Sequence, residues 1–254
     1  RPQRWGNFSG RQRYRCTACH RTFSDFTGTP LAHLKHIDRW PAFGHCVLAS
    51  LTVRHTAAIL GVHPSTAFRW RHRLLFALDA TDTGPLVSPV TIHETWFPFS
   101  EKGRRDLDRP PRRHSVFGRL DVPKAWLIYA GDGEGRTASG PAGPKRPTVD
   151  DLTAAFDPRL DATAVIASTI GPWGAAGLMA ERTGRIYHRL GSHAPEFQAV
   201  DRSILSMRRW LRRFHGVASR YLQNYAVWHR FLERSRRVAA GRPVSPVSVT
   251  AGPK

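Results

Sequence analysis

The chain has 254 residues, 41% of them hydrophobic, which suits one large domain or two smaller ones with a real core. No apolar run is long enough to span a membrane, and the basic opening residues lack the apolar stretch of a secretion signal. Lys and Arg number 39 against 19 Asp and Glu, a balance of +20 carried mostly by Arg; the planar guanidinium fork suits phosphate and guanine, so nucleic acid outranks a membrane surface or merely solvated faces.

Residues 1–28 are polar and basic, with aromatics at Trp5, Phe8, Tyr14, Phe23 and Phe26, and fit short strands and knuckle turns. Residues 33–78 read as helical, and 79–89 have the composition of a linker. A strand is expected at 90–97, then a basic, Pro-broken loop over 101–113. Segments 125–130 and 136–138 can pair across the Gly-Asp-Gly turn at 131–133, and 139–147 reads as a flexible loop. Helices are expected at 149–156, 175–182, 200–214 and 220–234, and strands at 162–167 and 185–188. Residues 235–254 lack periodicity and read as a tail.

Three cysteines are too few for a disulfide framework and fit a reducing, cytoplasmic setting. Cys16-Thr-Ala-Cys19 has the spacing at which two thiolates curl round one tetrahedral zinc. A closed site needs four ligands, and only His20, His33, His36 and Cys46 lie nearby, so the pair is a candidate zinc site that is incomplete. Substoichiometric or no tightly bound zinc is expected.

Residues 53–60, then Gly61-Val62-His63, then 64–78 form a helix-turn-helix pattern. Gly61 suits the position just past a helix, and Pro64 suits a helix start. On a helical wheel Ala67, Phe68, Leu74, Leu75 and Leu78 gather on one side and Ser65, Arg69, His72 and Arg73 on the other, with Arg71 at the stripe's edge. Such a face serves a recognition helix, with Ser65, Thr66, Arg69, His72 and Arg73 as candidate DNA contacts. An ordinary helical hairpin with a solvated face is the plainer alternative. Of the histidines farther along, His188, His193 and His229 read as ordinary surface or core residues, and the eight tryptophans as mostly core.

Segments RQRYRCTACHRTFSDFTGTPLAHL and TVRHTAAILGVHPSTAFRWRHRLL, with the late WLRRFHGVASRYLQNY, resemble bacterial insertion-sequence transposases of the DDE class. The resemblance covers residues 10–234, most weakly between 100 and 195. It implies an α+β chain: a zinc-ribbon remnant (1–30), a helix-turn-helix region (31–80), a linker (81–89), an α/β ribonuclease-H-like domain (90–234) and a flexible tail (235–254). In that family a second CxxC would fall just ahead of Arg1, which implies a ribbon cut in half.

The family cuts DNA with two divalent metals held by clustered carboxylates. Its first acid stands in Asp-Glu-Thr-aromatic-Phe, where this chain has His93-Glu94-Thr95-Trp96-Phe97. Glu94 points to the opposite face of a strand from residue 93 and cannot stand in. The second acid follows a buried strand, where this chain has Ser168-Thr169-Ile170-Gly171; at the third position stands Asp201, with Arg208 in place of a Lys. The resemblance therefore implies degenerate catalytic positions at His93, Thr169, Asp201 and Arg208, no bound magnesium, and a chain leaning away from enzymatic activity. Arg209, Arg212 and Arg213 on the late helix add candidate DNA contacts, beside Arg202. The expected function is sequence-specific binding of duplex DNA in the bacterial cytoplasm, nucleoid-associated, with a homodimer an open option and no membrane partner. An active transposase would need Asp106, Asp108, Asp132, Glu134, Asp150 or Asp151 to replace the missing ligands and magnesium to bind; a packaging protein acting by charge alone is the third reading.

Overall fold

The computed structural model describes residues 2–8, 10–81, 84–107, 123–140 and 142–241. The chain divides into two compact units, Arg1–Ala77 and Leu78–Lys254. The first opens with three antiparallel strands in the order β1 (Gln3–Phe8), β2 (Arg11–Arg15), β3 (Thr22–Phe23). Tyr14 stacks on Phe23 at 5.6 Å across β2 and β3. The turn between those strands closes through Cys16 N donating to Arg21 O (2.9 Å) and His20 N to Cys16 O (3.0 Å), with His20 in the left-handed region at φ 56°.

Three helices follow: α1 (Trp40–Leu48), α2 (Val53–Leu60) and α3 (Pro64–Thr81). Phe43, Cys46, Val47, Ala57, Leu60, Ala67, Trp70 and Leu75 are buried among them. The rings of Trp40, Phe43 and Trp70 meet with centroids 4.9, 5.7 and 5.8 Å apart, a packed aromatic corner that ties α1 to α3. The buried stripe of α3 is Ala67, Trp70, Arg71 and Leu75, so Trp70 and Arg71 hold places that the wheel assigns to Leu74 and Leu78, which are half-buried. Arg71 is 1% exposed; its Nη2 donates to Leu51 O (2.7 Å) and Thr56 Oγ1 (3.4 Å). The guanidinium thus satisfies a carbonyl at the entrance to α2 that the core would otherwise strand.

The second unit holds β4 (Val90–Pro98), β5 (Lys124–Asp132), β6 (Thr137–Ser139), β7 (Ile166–Ser168) and β8 (Tyr187–Arg189) in one sheet of order β6-β5-β4-β7-β8. β4, β5 and β6 are antiparallel neighbours, while β7 and β8 continue the sheet in parallel. Period-two alternation sorts the side chains between faces. Val90, Ile92, Ile128 and Ala130 pack with Leu152 and Phe156 of α4 (Val149–Phe156) and Met179 and Ala180 of α5 (Ala175–Arg182). Leu127 packs with Met207 of α6 (Pro195–Leu211) and Leu222 and Ala226 of α7 (Leu222–Ala239), while Tyr129 packs with Val200 and Ile204. The sheet is mixed, with β6, β5 and β4 antiparallel and β4, β7 and β8 parallel, and it packs between helix layers, so the chain is α+β.

Several boundaries move. The linker is partly ordered: α3 runs to Thr81, and Leu86 is buried and bridges to Leu160. Within the expected loop over 139–147, Gly143 exchanges both backbone hydrogen bonds with Trp126. The strand expected at 162–167 forms at Ile166–Ser168, α6 begins at Pro195, and α7 continues past Arg234 to Ala239. Most of the loop after Leu107 and the tail beyond Gly241 lie outside the described residues. No helix among the described residues is long and apolar enough to cross a membrane.

Candidate nucleic-acid interface

The helix-turn-helix is fixed by local chemistry at each joint. Thr52 caps α2, its hydroxyl accepting from His55 N at 3.4 Å. Gly61 takes the left-handed conformation (φ 59°) and Val62 N returns to Ala57 O at 3.0 Å, which ends α2 as its sequence position requires. Arg39, which sequence reasoning missed, donates through Nη1 to Leu60 O (2.7 Å) and Gly61 O (2.8 Å), placing positive charge at the negative end of α2. His63 opens α3: its Nδ1 accepts from Ser65 N (3.2 Å) and lies 2.8 Å from Ser65 Oγ.

On α3, Ser65 and Arg69 are exposed, while Thr66, His72 and Arg73 are half-buried. His72 packs on Phe68 with centroids 4.3 Å apart, and burial, aided by the charge of Arg71, pushes its pKa down to about 4. It is therefore neutral at pH 7 and offers a hydrogen bond, not a charge. In the second unit Arg202 and Arg209 are exposed on α6; Arg212 and Arg213 are exposed in the 3-10 turn that continues it, with Arg213 6.0 Å over the Trp210 ring.

His93, Asp201 and Arg208 lie within electrostatic reach of one another. His93 lies on the α6 side of β4, its ring 5.2 Å from Phe197 in an edge contact. Burial pushes the His93 pKa down, against the pull of the Asp201 and Glu94 carboxylates and with the push of Arg208. Beside β4, parallel β7 ends at buried Ser168, whose hydroxyl accepts from Ile170 N (3.3 Å), and Thr169 follows. Arg208 reaches back from α6 to β4: Nη2 donates to Thr95 Oγ1 (2.8 Å) and Trp96 O (2.6 Å), and its guanidinium lies 4.5 Å over the Phe97 ring. Glu94, on the other face, takes an ion pair from Arg146 at 2.7 Å. One carboxylate, an imidazole, two hydroxyl side chains, a phenyl edge and a guanidinium do not fit a pair of hard divalent cations, which require several oxygen anions.

The acids held in reserve have other work. Asp132 organises its turn, accepting from Val87 N (3.0 Å), Glu134 N (3.0 Å) and Arg136 N (2.7 Å). Glu134 pairs with Arg136 at 2.7 Å, Asp150 with Arg182, and Asp151 forms a capping box with Thr148 at the start of α4. Asp106 is exposed, and Asp108 lies outside the described residues.

At the front, the backbone amides of Cys19 and Ala18 and the Cys19 side chain hold the Cys16 thiol below its ordinary pKa. That turn fits two of the four ligands of a zinc ion. Cys46 cannot supply a third, because it is buried in the helical core.

No family model matches the chain. Over 118 residues it is 34% identical to a protein described as "Uncharacterized protein in transposable element ISH50" from Halobacterium salinarum. The match spans 46% of this chain and 40% of that protein. Among solved structures, the Mos1 strand transfer complex overlaps 86% of this chain and 81% of its own at 13% identity and a TM-score of 0.27. The Mos1 pre-cleavage transpososome overlaps 77% and 75%, also at 13% identity, with a TM-score of 0.24. The Halobacterium salinarum relative, encoded in a transposable element, accords with the resemblance that the motifs carry.

Proposed function

We propose that this transposase-like chain is a sequence-specific DNA-binding protein that does not cleave DNA, with α3 reading the major groove and Arg209, Arg212 and Arg213 holding phosphates. The observation that carries the reading is the α2–α3 joint, capped at both helix ends, with Arg71 turned into the core, Ser65 and Arg69 exposed, and Arg73 half-buried. The absence of cleavage follows from the donor set at His93, Ser168, Thr169 and Asp201, which offers a single carboxylate. Zinc at Cys16 and Cys19 is expected below one ion per chain, which elemental analysis measures directly; a full equivalent would refute it.

Selection from random duplexes, followed by titration, tests the reading. One enriched motif is expected, and Arg69→Ala or Arg73→Ala should cost about 1–3 kcal/mol on that site and little on random duplex. Equal losses on both would demote these arginines to phosphate contacts, and no enrichment would favour packaging by charge alone. Active transposition remains the second reading because Asp201 and the sheet that would carry its partners are retained.

A further inference from the structure

We propose that the face of the N-terminal ribbon that carries the half-buried Arg11, Arg13 and Arg15 grips the sugar-phosphate backbone of duplex DNA independently of sequence. The inference deepens the DNA-binding reading but does not require α3 to read bases. It begins with register. Alternate residues of β2 share a face, so Arg11, Arg13 and Arg15 form a ladder with rungs about 6.8 Å apart. That spacing is close to the distance between successive phosphates along one strand of a duplex. Gln3 lies opposite Arg15 and Phe8 opposite Arg11, which puts both on the same face as the ladder.

Each arginine is ordered by a neutral partner. Arg13 Nη2 donates to Thr22 Oγ1 at 2.8 Å. The Arg15 guanidinium lies 4.4 Å over the Trp5 ring and its Nε donates to His20 O at 3.3 Å. Arg11 lies 4.6 Å over the Phe26 ring. These contacts restrict the long side chains without cancelling their charge, which lowers the entropy lost when a phosphate is captured. β1 and β2 carry no Asp or Glu, the first acid in the sequence being Asp25 beside Phe26. All six residues of β1 are exposed, with Trp5 47% and Phe8 68% open to solvent. Two large rings left in water beside an arginine ladder suit a partner surface, and the ladder's charge selects a polyanion. An anionic membrane is the poorer fit, because the Trp5 ring carries a guanidinium over its face and is not free to insert.

The test uses the full chain and a random-sequence duplex titrated across salt concentrations. Wild type is compared with Arg11→Ala/Arg13→Ala/Arg15→Ala, with the corresponding triple Lys variant, and with Arg69→Ala. Neutralising three phosphates contributes about 2.7 to the slope of log affinity against log salt, at about 0.9 each. The triple Ala variant should lose that much slope and more than tenfold in affinity, on random and selected duplex alike. The Lys variant should keep the slope, and an unchanged urea midpoint in both confirms folding. A slope change below about 1, or a loss confined to the selected site, overturns the proposal. So does a triple Ala variant that loses binding only to phosphatidylserine vesicles. A full slope change with no enriched motif would sink the sequence-specific reading while leaving the ribbon proposal standing.

Discussion

Arg71 shows how one residue can carry a fold that its own neighbourhood in sequence does not explain. At the edge of an apolar stripe it has no local reason to be there. Its partners, Leu51 O and Thr56 Oγ1, come from the entrance to another helix. Replacing it with Met keeps the bulk but leaves the Leu51 carbonyl without that donor; a loss of about 3 kcal/mol is expected in urea unfolding. Exposed Arg69→Ala should change stability by less than about 0.5 kcal/mol, so the pair separates a buried structural arginine from an exposed one. Two histidines add a pH dependence. Burial is the main cause that pushes His72 and His229 down to about 4 from 6.5, and His229 Nε2 lies 3.2 Å from Ser206 Oγ. A depressed histidine pKa means that the unfolded chain binds the proton more readily. Stability is therefore full above pH 6.5 and falls as pH drops from there toward 4. Between pH 7 and 5 the loss should be on the order of 1 kcal/mol for each histidine, after allowance for partial exposure. His72→Gln and His229→Gln should flatten the decline, and an equally steep decline in both variants would refute the assignment.

At the scale of elements, the sequence was most readable where a terminus has its own chemistry. Helices α2, α4 and α5 lie where spacing and caps place them, because Thr52, Gly61 and Thr148 act within one turn of chain. Gly61 gives the sharpest test. Its φ of 59° is costly for a β-branched residue, and a Cβ there would stand 3.5 Å from Arg39 Nη1. Gly61→Val should cost about 2 kcal/mol, and Gly61→Asn, which tolerates the left-handed region, well under half of that. Equal costs would mean that crowding, not backbone conformation, sets the requirement. Elements made by distant pairing were less readable. Leu86 sits among Thr, Gly and Pro, and only its bridge to Leu160 turns linker composition into core. β7 is short because its order comes from β4 and β8 on either side, and a run of small residues at 162–167 does not mark where that pairing begins. The ribbon ladder was hidden for the opposite reason. Alternating Arg is a period-two signal, yet the rings that order it come from β1 and from Phe26 beyond β3.

For the whole molecule the question is whether the α6 side of β4, which carries His93 beside the single carboxylate of Asp201, can be made to bind a divalent metal. The sequence resemblance singles out His93, Thr169 and Asp201; in the structure β4 and β7 are parallel neighbours, and α6 packs on the face of β4 that carries His93. What motifs could not show is how the space is used. Phe197 stands against residue 93, and Arg208 is tied to Thr95 and Trp96. A lone new carboxylate at position 93 would join Asp201 with no third acid, so His93→Asp should neither bind Mn²⁺ tightly nor nick DNA. His93→Asp with Thr169→Asp supplies three carboxylates, on β4, just past the end of β7 and on α6, and should gain divalent-metal binding, read as a rise in melting temperature with millimolar Mn²⁺ that the native chain lacks. Nicking by the double variant should stay undetectable while Phe197 fills part of the site, because two-metal chemistry needs ions about 3.5–4 Å apart. The decisive control is the native chain on supercoiled DNA with Mg²⁺ and Mn²⁺. Metal-dependent nicking there, abolished by Asp201→Asn, would restore the reading of an active transposase and place a ligand where the present arrangement offers none.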